Sequence, residues 1–215
     1  MAVRIPVLVS LSLLALTSIA VQAQTPPAFN GDAKRGQELS YTCYGCHGIP
    51  NYKNVYPTYS VPKLHGQRPE YLVAALKAYK SGERSHGTMH SQASSMSEQD
   101  MADVAAFLAG PNVLTQSKND VPAAARPAAS EVCLACHGTN GVGITADYPT
   151  IAGQHKDYIE RALHDYQKGG RKNAVMGGMA ATLKAEDIEQ LAEYYSRQTP
   201  ALSTVNKKNF FFSSN

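Results

Sequence analysis

The chain has no Trp and only 5 Phe among its 215 residues, so that aromatic side chains make up 8% of the sequence. A chain of this length has room for two domains of roughly 100 residues, and domains of that size bury little apolar surface. With few large aromatics, each domain would need a bulky apolar cofactor, a disulfide or a metal to be stable. The scarcity of aromatics therefore directs attention to the cysteines and histidines.

Long apolar runs are absent beyond the first two dozen residues. Residues 1–23 combine a basic Arg4, an apolar stretch over residues 7–21 and small residues around Ala23, a pattern typical of a secretory signal peptide. The alternative is a retained anchor, for which the stretch is short. We therefore predict an exported, periplasmic protein. If the segment were retained and not cleaved, it would hold the protein at the membrane surface.

A strong excess of one charge is also lacking, because 20 Lys and Arg stand against 17 Asp and Glu, a net charge of +3. The basic residues are interspersed with acidic ones along the chain. Nucleic-acid binding needs a basic stripe or patch. This composition argues against nucleic acid as a partner.

An internal repeat organises the chain. A Cys-x-x-Cys-His-Gly motif at residues 43–48 returns at 133–138, and a Pro-x-[Leu/Ile]-x-Gly-Gln segment at 62–67 returns at 149–154. The displacement falls from 90 to 87 residues between the two segments, because the first copy holds three extra residues. The predicted division is a signal peptide (1–23), a first domain (24–110), a Pro-containing extended linker (111–129), a second domain (130–200) and a tail (201–215).

The apolar spacing within each copy is helical, as for Tyr71, Leu72, Ala75, Leu76 and Tyr79, which share one helical face. Further helices are predicted near residues 32–42, over 101–108 and over 185–197. No stretch alternates as a strand would. The predicted fold class is all-α, with loops that wrap around a bound group.

The Cys-x-x-Cys-His motif is the attachment site of c-type haem. Its two thiols reach the two vinyl groups of one haem, and the adjacent imidazole becomes an axial ligand of the iron. A thioredoxin-like dithiol would need a βαβ context, and zinc sites or disulfides would leave both His unexplained. The motifs therefore predict two covalent haem c groups, attached to Cys43, Cys46, Cys133 and Cys136 and ligated by His47 and His137.

Each iron then has either a sixth ligand or an open site, and thioether sulfur is the ligand that raises the reduction potential of a His-ligated haem. Met89 and Met176 are the candidates, because they occupy equivalent places in the repeat, in what we predict to be a Gly- or Ser-containing loop. The competing side chains have no ligating counterpart in the other copy; they are Met179, His86 and His90.

Four further residues are candidates for supporting roles. Pro62 and Pro149 either present the carbonyl that orients a haem-ligating His or merely punctuate turns. Arg84 and Arg171 either pair with haem propionates or lie exposed at helix ends.

Together these motifs resemble the cytochrome c4 family, and the resemblance covers nearly all of the chain beyond the signal segment. It rests on the two haem-attachment motifs, the two Pro-x-[Leu/Ile]-x-Gly-Gln-x3-Tyr segments and the Met-x6-[Met/Leu] approach to the closing helix. The resemblance implies two tandem class I cytochrome c domains, and His/Met ligation by His47 with Met89 and by His137 with Met176. It also implies electron donation from a respiratory donor toward a terminal oxidase or similar acceptor.

Three functional hypotheses follow. The first is a non-enzymatic electron carrier, and the second is the cytochrome subunit of a periplasmic dehydrogenase or a dihaem peroxidase. The third is a disulfide-stapled binding module without haem. The Tyr-rich loop at residues 49–59 carries the three-residue insertion of the first copy, and it is predicted either to bind a partner or to cover one haem edge.

Overall fold

The computed structural model describes residues 29–116 and 125–205, together with Met1 and Pro122. The predicted signal peptide beyond Met1, part of the predicted linker and most of the predicted tail lie outside these residues. The described helices are α1 (Ala33–Leu39), α2 (Tyr41–His47), α3 (Pro69–Ser81), α4 (Gly87–Ser94), α5 (Glu98–Ala109), α6 (Glu131–His137), α7 (Lys156–Gln167), α8 (Ala174–Ala181) and α9 (Ala185–Ser196).

The all-α prediction is confirmed, because the described residues pair as extended chain only at three isolated bridges. No helix within 29–116 or 125–205 is long and apolar enough to cross a membrane. The duplication is visible in the helices. Helices α3, α4 and α5 begin 87 residues before α7, α8 and α9, and the motif helices α2 and α6 end at equivalent His residues.

In the first domain, α1 crosses α5 at Gly36. A Cβ at Gly36 would lie only 1.9 Å from the carbonyl oxygen of Asp103, so no larger residue fits at this crossing. Helix α5 opens with a capping box in which the Ser97 hydroxyl and the Asp100 carboxylate satisfy each other's backbone N–H groups. Its inner face packs against α3 and provides the buried core residues Met101, Val104, Ala105 and Leu108.

The second domain repeats this packing with α7 against α9. Its buried core consists of Ile159, Leu191, Ala192 and Tyr195. Beyond α9 the chain returns to the first domain, where the backbone of Ser203 exchanges two 3.0 Å hydrogen bonds with that of His65. Leu202 is buried beside this bridge. Residues 201–205, the described part of the predicted tail, therefore tie the two domains together.

Two glutamines at equivalent places join the domains reciprocally. Gln67 Nε2 donates to the carbonyl of Thr150 and its Oε1 accepts from the Thr150 N–H, both at 2.8 Å. Gln154 makes the same pair with the backbone of Lys63, at 3.0 and 2.9 Å. Because each glutamine side chain satisfies a donor and an acceptor of the other domain, the pair fixes one orientation between the domains.

We expect Gln67→Ala to lower the free energy of unfolding by about 2–4 kcal/mol, because two hydrogen bonds are lost and both Thr150 backbone groups are left buried and unpaired. The domains should then unfold in two steps instead of one, as followed by urea titration with far-UV circular dichroism and haem absorbance. Gln190→Ala, at an exposed position on α9, is the matched control. A single unchanged transition in Gln67→Ala would show that these bonds do not couple the domains.

A buried carboxylate holds α1 against α5. Asp103 accepts hydrogen bonds from the backbone N–H of Asp32 and from Gln99, both at 2.8 Å, and forms an ion pair with Arg35. Burial alone would raise the pKa of Asp103, but these donors outweigh it and the pKa is lowered. A depressed pKa stabilises the fold above the unfolded value of about 4, and that stabilisation is lost as the pH falls through the folded value.

Replacement of Asp103 by Asn is therefore expected to destabilise the first domain by about 1–3 kcal/mol at neutral pH. Below pH ~4 the variant should lose stability less steeply than the wild type, because it lacks the carboxylate that must be protonated. Thermal unfolding at several pH values measures both effects, with the exposed Glu186→Gln on α9 as control. Equal acid sensitivity of Asp103→Asn and the wild type would contradict this account.

Candidate haem sites

Two cavities are each bounded by one Cys-x-x-Cys-His motif and the candidate Met of the same domain. Cys43, Cys46, His47 and Met89 line the first cavity. The remaining wall is largely apolar and includes Leu72, Leu76, Val104 and Leu108. The structure thus brings together all four side chains that the sequence assigns to the first haem.

The second cavity lies between the domains, with first-domain residues such as Arg84 in its lining. Cys133, Cys136, His137 and Met176 line it. Its other lining residues include Ile159, Leu163, Leu191 and Tyr195. All eight residues that the sequence assigns to haem attachment and iron ligation therefore face two cavities, four to each.

The motif helices α2 and α6 explain how the thiols and the imidazole are presented together. The two Cys stand three residues apart, which places them on one side of a helix, and the His ends the helix one residue later. All four thiols are free and partly buried. Burial raises the pKa of the Cys43 and Cys133 thiols, which keeps both protonated at neutral pH.

The two imidazoles are oriented by backbone carbonyls. His47 Nδ1 lies 3.0 Å from the carbonyl oxygen of Pro62, and His137 Nδ1 lies 2.9 Å from that of Pro149. Because a carbonyl only accepts, each Nδ1 carries the proton and donates, which leaves the lone pair of Nε2 for a metal. Burial lowers the pKa of both histidines, so that the neutral, ligating form is favoured.

The prediction that the candidate Met residues lie in loops was wrong, because Met89 and Met176 lie in the short helices α4 and α8. Each helix is started by the side chain three residues before its Met. His86 Nδ1 accepts from the N–H of Met89 at 3.3 Å, and Asn173 Oδ1 accepts from that of Met176 at 2.9 Å. These N-caps stabilise helices that their Gly- and Ser-containing sequences disfavour.

Arg84 and Arg171 meet at the second cavity, and Arg84 also lines the first. Their backbones form an antiparallel bridge, and the second cavity is lined by both side chains. Arg84 donates to Tyr71 Oη at 3.0 Å and Arg171 to Tyr158 Oη at 3.1 Å. The Arg171 side chain is only 7% exposed, so the interpretation as an exposed helix-end residue is wrong for Arg171.

Positive charge exceeds negative charge in this region. The Asp165 carboxylate approaches Arg171 at 3.9 Å, whereas within the described ranges no carboxylate forms an ion pair with Arg84. Burial alone would raise the pKa of the Tyr71 phenol, but the two guanidinium groups outweigh it and the pKa is lowered. An anionic group between the cavities would therefore be stabilised here.

The Tyr-rich loop packs against the second domain. Lys53 Nζ lies 3.3 Å from the Asp157 carboxylate, which also accepts from the N–H and hydroxyl of Ser60 at 3.0 and 2.9 Å. The Arg161 guanidinium lies 5.5 Å from the centroid of the Tyr59 ring, and Tyr59 lines the first cavity. Part of the loop thus closes the first cavity and contacts α7.

Val55 and Tyr56, at the tip of the same loop, are 88% and 95% exposed. The loop therefore has one side that packs against the first cavity and α7 and one tip that faces solvent. Both alternatives left by the sequence, a cover for the site and a surface for a partner, are compatible with this geometry.

Sequence reasoning missed several residues that shape the cavities. Asp157 and Arg161 anchor the loop from 97 or more residues away, and Tyr195 brings a phenol into the second cavity. The alignment of the two copies gave a usable indication only for Tyr195, because it replaces Leu108 of the first copy. The anchoring pair has no local pattern that distinguishes it from ordinary surface charge on a helix.

The residues present fit haem c. Each cavity supplies two free thiols, one neutral imidazole with a free Nε2 and one thioether, within largely apolar walls. This is the donor set for covalent attachment and for an iron with nitrogen and sulfur axial ligands. Arg84 and Arg171 carry the positive charge that would pair with carboxylates such as the haem propionates.

Comparison with known proteins gives the same assignment. Residues 33–110 match the family model "Cytochrome c", and residues 121–194 match "Cytochrome C oxidase, cbb3-type, subunit III". A cytochrome c4 of Pseudomonas aeruginosa is 34% identical over 202 residues, which cover 87% of this chain and 96% of that protein. A thiosulfate dehydrogenase electron acceptor of Stutzerimonas stutzeri is 29% identical, over 72% of this chain and 77% of that protein.

Among solved structures, the crystal structure of reduced recombinant cytochrome c4 from Pseudomonas stutzeri superposes with a TM-score of 0.62. It is 29% identical, and the match covers 79% of this chain and all of that one. Two cytochrome c domains in tandem imply two covalently bound haem c groups. With its duplicated fold, its two matching cavities and 34% identity over almost the full length of a known member, the chain belongs to the cytochrome c4 family.

Proposed function

We propose that the protein is a periplasmic carrier of single electrons in which both haem irons are six-coordinate. His47 and Met89 ligate the first iron, and His137 and Met176 the second. The observation that supports this assignment is the matched donor set, an imidazole with a free Nε2 and a capped Met in each cavity. If the chain supplies two ligands to each iron in this way, neither iron would offer a site for substrate.

The cysteine pairs 43/46 and 133/136 attach the haems, and the surrounding residues control their environment. When bound, each haem c supplies a ferric–ferrous couple that exchanges one electron. The Pro62 and Pro149 carbonyls hold the imidazoles in one tautomer, which also makes Nε2 a stronger ligand. Arg84 and Arg171 would compensate the negative charge of haem propionates within their reach.

The proposed partners are a respiratory donor and a terminal oxidase or similar acceptor, reached in the periplasm or at the membrane surface. The small basic excess of +3 favours neither nucleic acid nor strong electrostatic anchoring. Exposed apolar side chains beside the first cavity, Val55 and Tyr56, provide contact surface for a transient redox partner. A carrier with such a surface needs no substrate pocket of its own.

A second candidate function is to accept electrons from one particular enzyme. The relative named as a thiosulfate dehydrogenase electron acceptor matches 72% of this chain, which favours a role as the electron acceptor of a dehydrogenase. In that case the protein would still carry electrons, but its donor would be the dehydrogenase. A dihaem peroxidase is less favoured, since a Met lines each cavity.

Visible spectroscopy of the chain matured with a haem-attachment system tests the proposal. We expect two haems per chain by pyridine haemochrome, the weak long-wavelength ferric band of sulfur–iron ligation, and no response to carbon monoxide. A carbon monoxide-reactive iron would favour the peroxidase, and absence of covalent haem would reject all three haem-based functions. Rapid reduction by thiosulfate with thiosulfate dehydrogenase, but not by a quinol-oxidising complex, would select the second candidate.

A further inference from the structure

Helix α4 is started by an imidazole, whereas α8 is started by an amide. His86 Nδ1 accepts from the N–H of Met89 at 3.3 Å, and Asn173 Oδ1 accepts from that of Met176 at 2.9 Å. An amide oxygen is always an acceptor, but Nδ1 of a neutral imidazole accepts only in the tautomer that carries its proton on Nε2. The cap at Met89 therefore depends on one tautomer and one ring orientation, and the cap at Met176 depends on no tautomer.

Asn54 of the Tyr-rich loop faces the other nitrogen of this imidazole. Its Oδ1 lies 3.2 Å from His86 Nε2. The orientation of the amide follows from its second contact, since Asn54 Nδ2 donates at 3.2 Å to the carbonyl oxygen of Tyr59, which can only accept. Because Oδ1 then faces the imidazole, Nε2 must carry the proton and donate, which leaves the lone pair of Nδ1 for the Met89 N–H.

Aromatic contacts hold the same imidazole from two elements. The His86 ring meets the Tyr59 ring of the loop edge-on, with centroids 6.4 Å apart and planes at 89°. It meets the Tyr79 ring of α3 at 6.3 Å and 73°. Both distances lie in the range of favourable aromatic pairs. The ring is therefore held by packing as well as by its two hydrogen bonds.

The loop that carries Asn54 is itself fixed. The backbone N–H of Asn54 donates to the Tyr59 carbonyl at 2.9 Å, which closes this part of the loop. The next residue, Ser60, donates to the Asp157 carboxylate on α7, and the Tyr59 ring lies 5.5 Å from the Arg161 guanidinium. A residue that orients another must be held in place, and Asn54 meets this condition.

The cap acts directly on the candidate ligand. Met89 is the third residue of α4 (Gly87–Ser94), so the hydrogen bond at its N–H fixes the turn from which its side chain leaves the helix. Asn54, His86 and Met89 all line the first cavity. Partners that orient a metal ligand influence how firmly that ligand binds.

We propose that Asn54 is a positioning residue for the first haem, because it holds His86 in the tautomer and orientation that cap α4 at Met89 and thereby keeps the Met89 side chain in place as an axial ligand. The inference rests on the Met89 ligation proposed above. The second haem does not depend on this loop, since Asn173 caps α8 by itself.

Imidazole titration of the ferric, haem-loaded protein tests the proposal, because added imidazole competes with the Met sulfur for the iron. The first haem is identified as the one whose imidazole affinity rises in Met89→Ala. We expect Asn54→Leu to raise the imidazole affinity of that haem about fivefold, the change that corresponds to loss of a typical N-cap, and to leave the other haem unchanged. Thr58→Val is the matched control, because it removes a bond within the loop, from Thr58 Oγ1 to the Val55 carbonyl at 2.9 Å, and it should change neither haem.

A rescue variant separates positioning of Met89 from a general effect on the loop. His86→Asn gives α4 the amide cap of α8, which needs no partner to select a tautomer. Asn54→Leu/His86→Asn should therefore regain the wild-type imidazole affinity. An unchanged affinity in Asn54→Leu, or no recovery in the double variant, would overturn the proposal.

If Asn54→Leu loses its first haem, nitrogen-15 NMR of the reduced wild type decides independently. The His86 ring should carry its proton on Nε2, in slow exchange with solvent, and a proton on Nδ1 would refute the proposal. Failure of the proposed ligation is distinguishable, because Met89→Ala would then leave the imidazole affinity of both haems unchanged.

Discussion

Replacing Cys43 and Cys46 together by Ala is expected to reduce the covalent haem content from two to one per chain and to unfold the first domain. The apolar side chains that line the first cavity face the space that the proposed haem would fill. Without it, water would contact those side chains and the small core between α3 and α5 would lose most of its stabilisation. The pyridine haemochrome and far-UV circular dichroism measure the two effects.

The matched control is the double Ala variant of Cys133 and Cys136. It should also leave one haem, but with the second domain as the unfolded half. Limited proteolysis with mass spectrometry distinguishes the two, because the surviving fragment should be the opposite domain in each case. Two retained haems in either variant, or loss of haem without loss of helix, would contradict the role assigned to the motif.

The elements that the sequence predicted are those governed by local patterns. Helices α3 and α7 follow from apolar residues at helical spacing, and α5 from the Ser97–Asp100 cap, although α5 begins three residues earlier than predicted, at Glu98. The Cys-x-x-Cys-His motifs identified the cofactor because their spacing presents two thiols and one imidazole to the same haem. The repeat then assigned each ligand twice, which a single domain could not have done.

Helices α4 and α8 were missed for a physical reason. Their sequences are rich in Gly, Ala, Ser and Met and have little amphipathic pattern, so they lack the periodicity on which the prediction of a helix depends. They form because the side chain just before each helix caps it, and because tertiary packing overrides weak propensity. A His at this place, His86, is not among the residues most preferred at a helix N-cap.

The contacts between the domains were also beyond prediction. Gln67 and Thr150 are 83 residues apart and Ser60 and Asp157 are 97 apart, and no local pattern predicts a partner at such a separation. The duplication indicated that the domains are alike, but it did not indicate how they pack. The reciprocal Gln bonds follow the pseudo-symmetry, whereas the Tyr-rich loop breaks it by contacting α7 from one side only.

Met176→Ala is expected to convert one unreactive iron per chain into one that binds carbon monoxide. Met176 lines the second cavity, and in that cavity its capping residue Asn173 offers an amide instead of an imidazole, so no equivalent ligand replaces the lost sulfur. The potential of this haem should fall as well, because thioether ligation raises it. Carbon monoxide titration of the reduced protein and spectroelectrochemistry give both quantities.

Met89→Ala provides the comparison within the same chain. His86 lines the first cavity together with Met89, so an imidazole is available there that the second cavity lacks. We therefore expect Met89→Ala to bind carbon monoxide more weakly than Met176→Ala, and the difference to disappear in Met89→Ala/His86→Asn. Met179→Ala, one turn beyond Met176 and 42% exposed, should leave both irons unreactive. An unreactive Met176→Ala protein with an unchanged potential would show that the sulfur of Met176 is not the ligand.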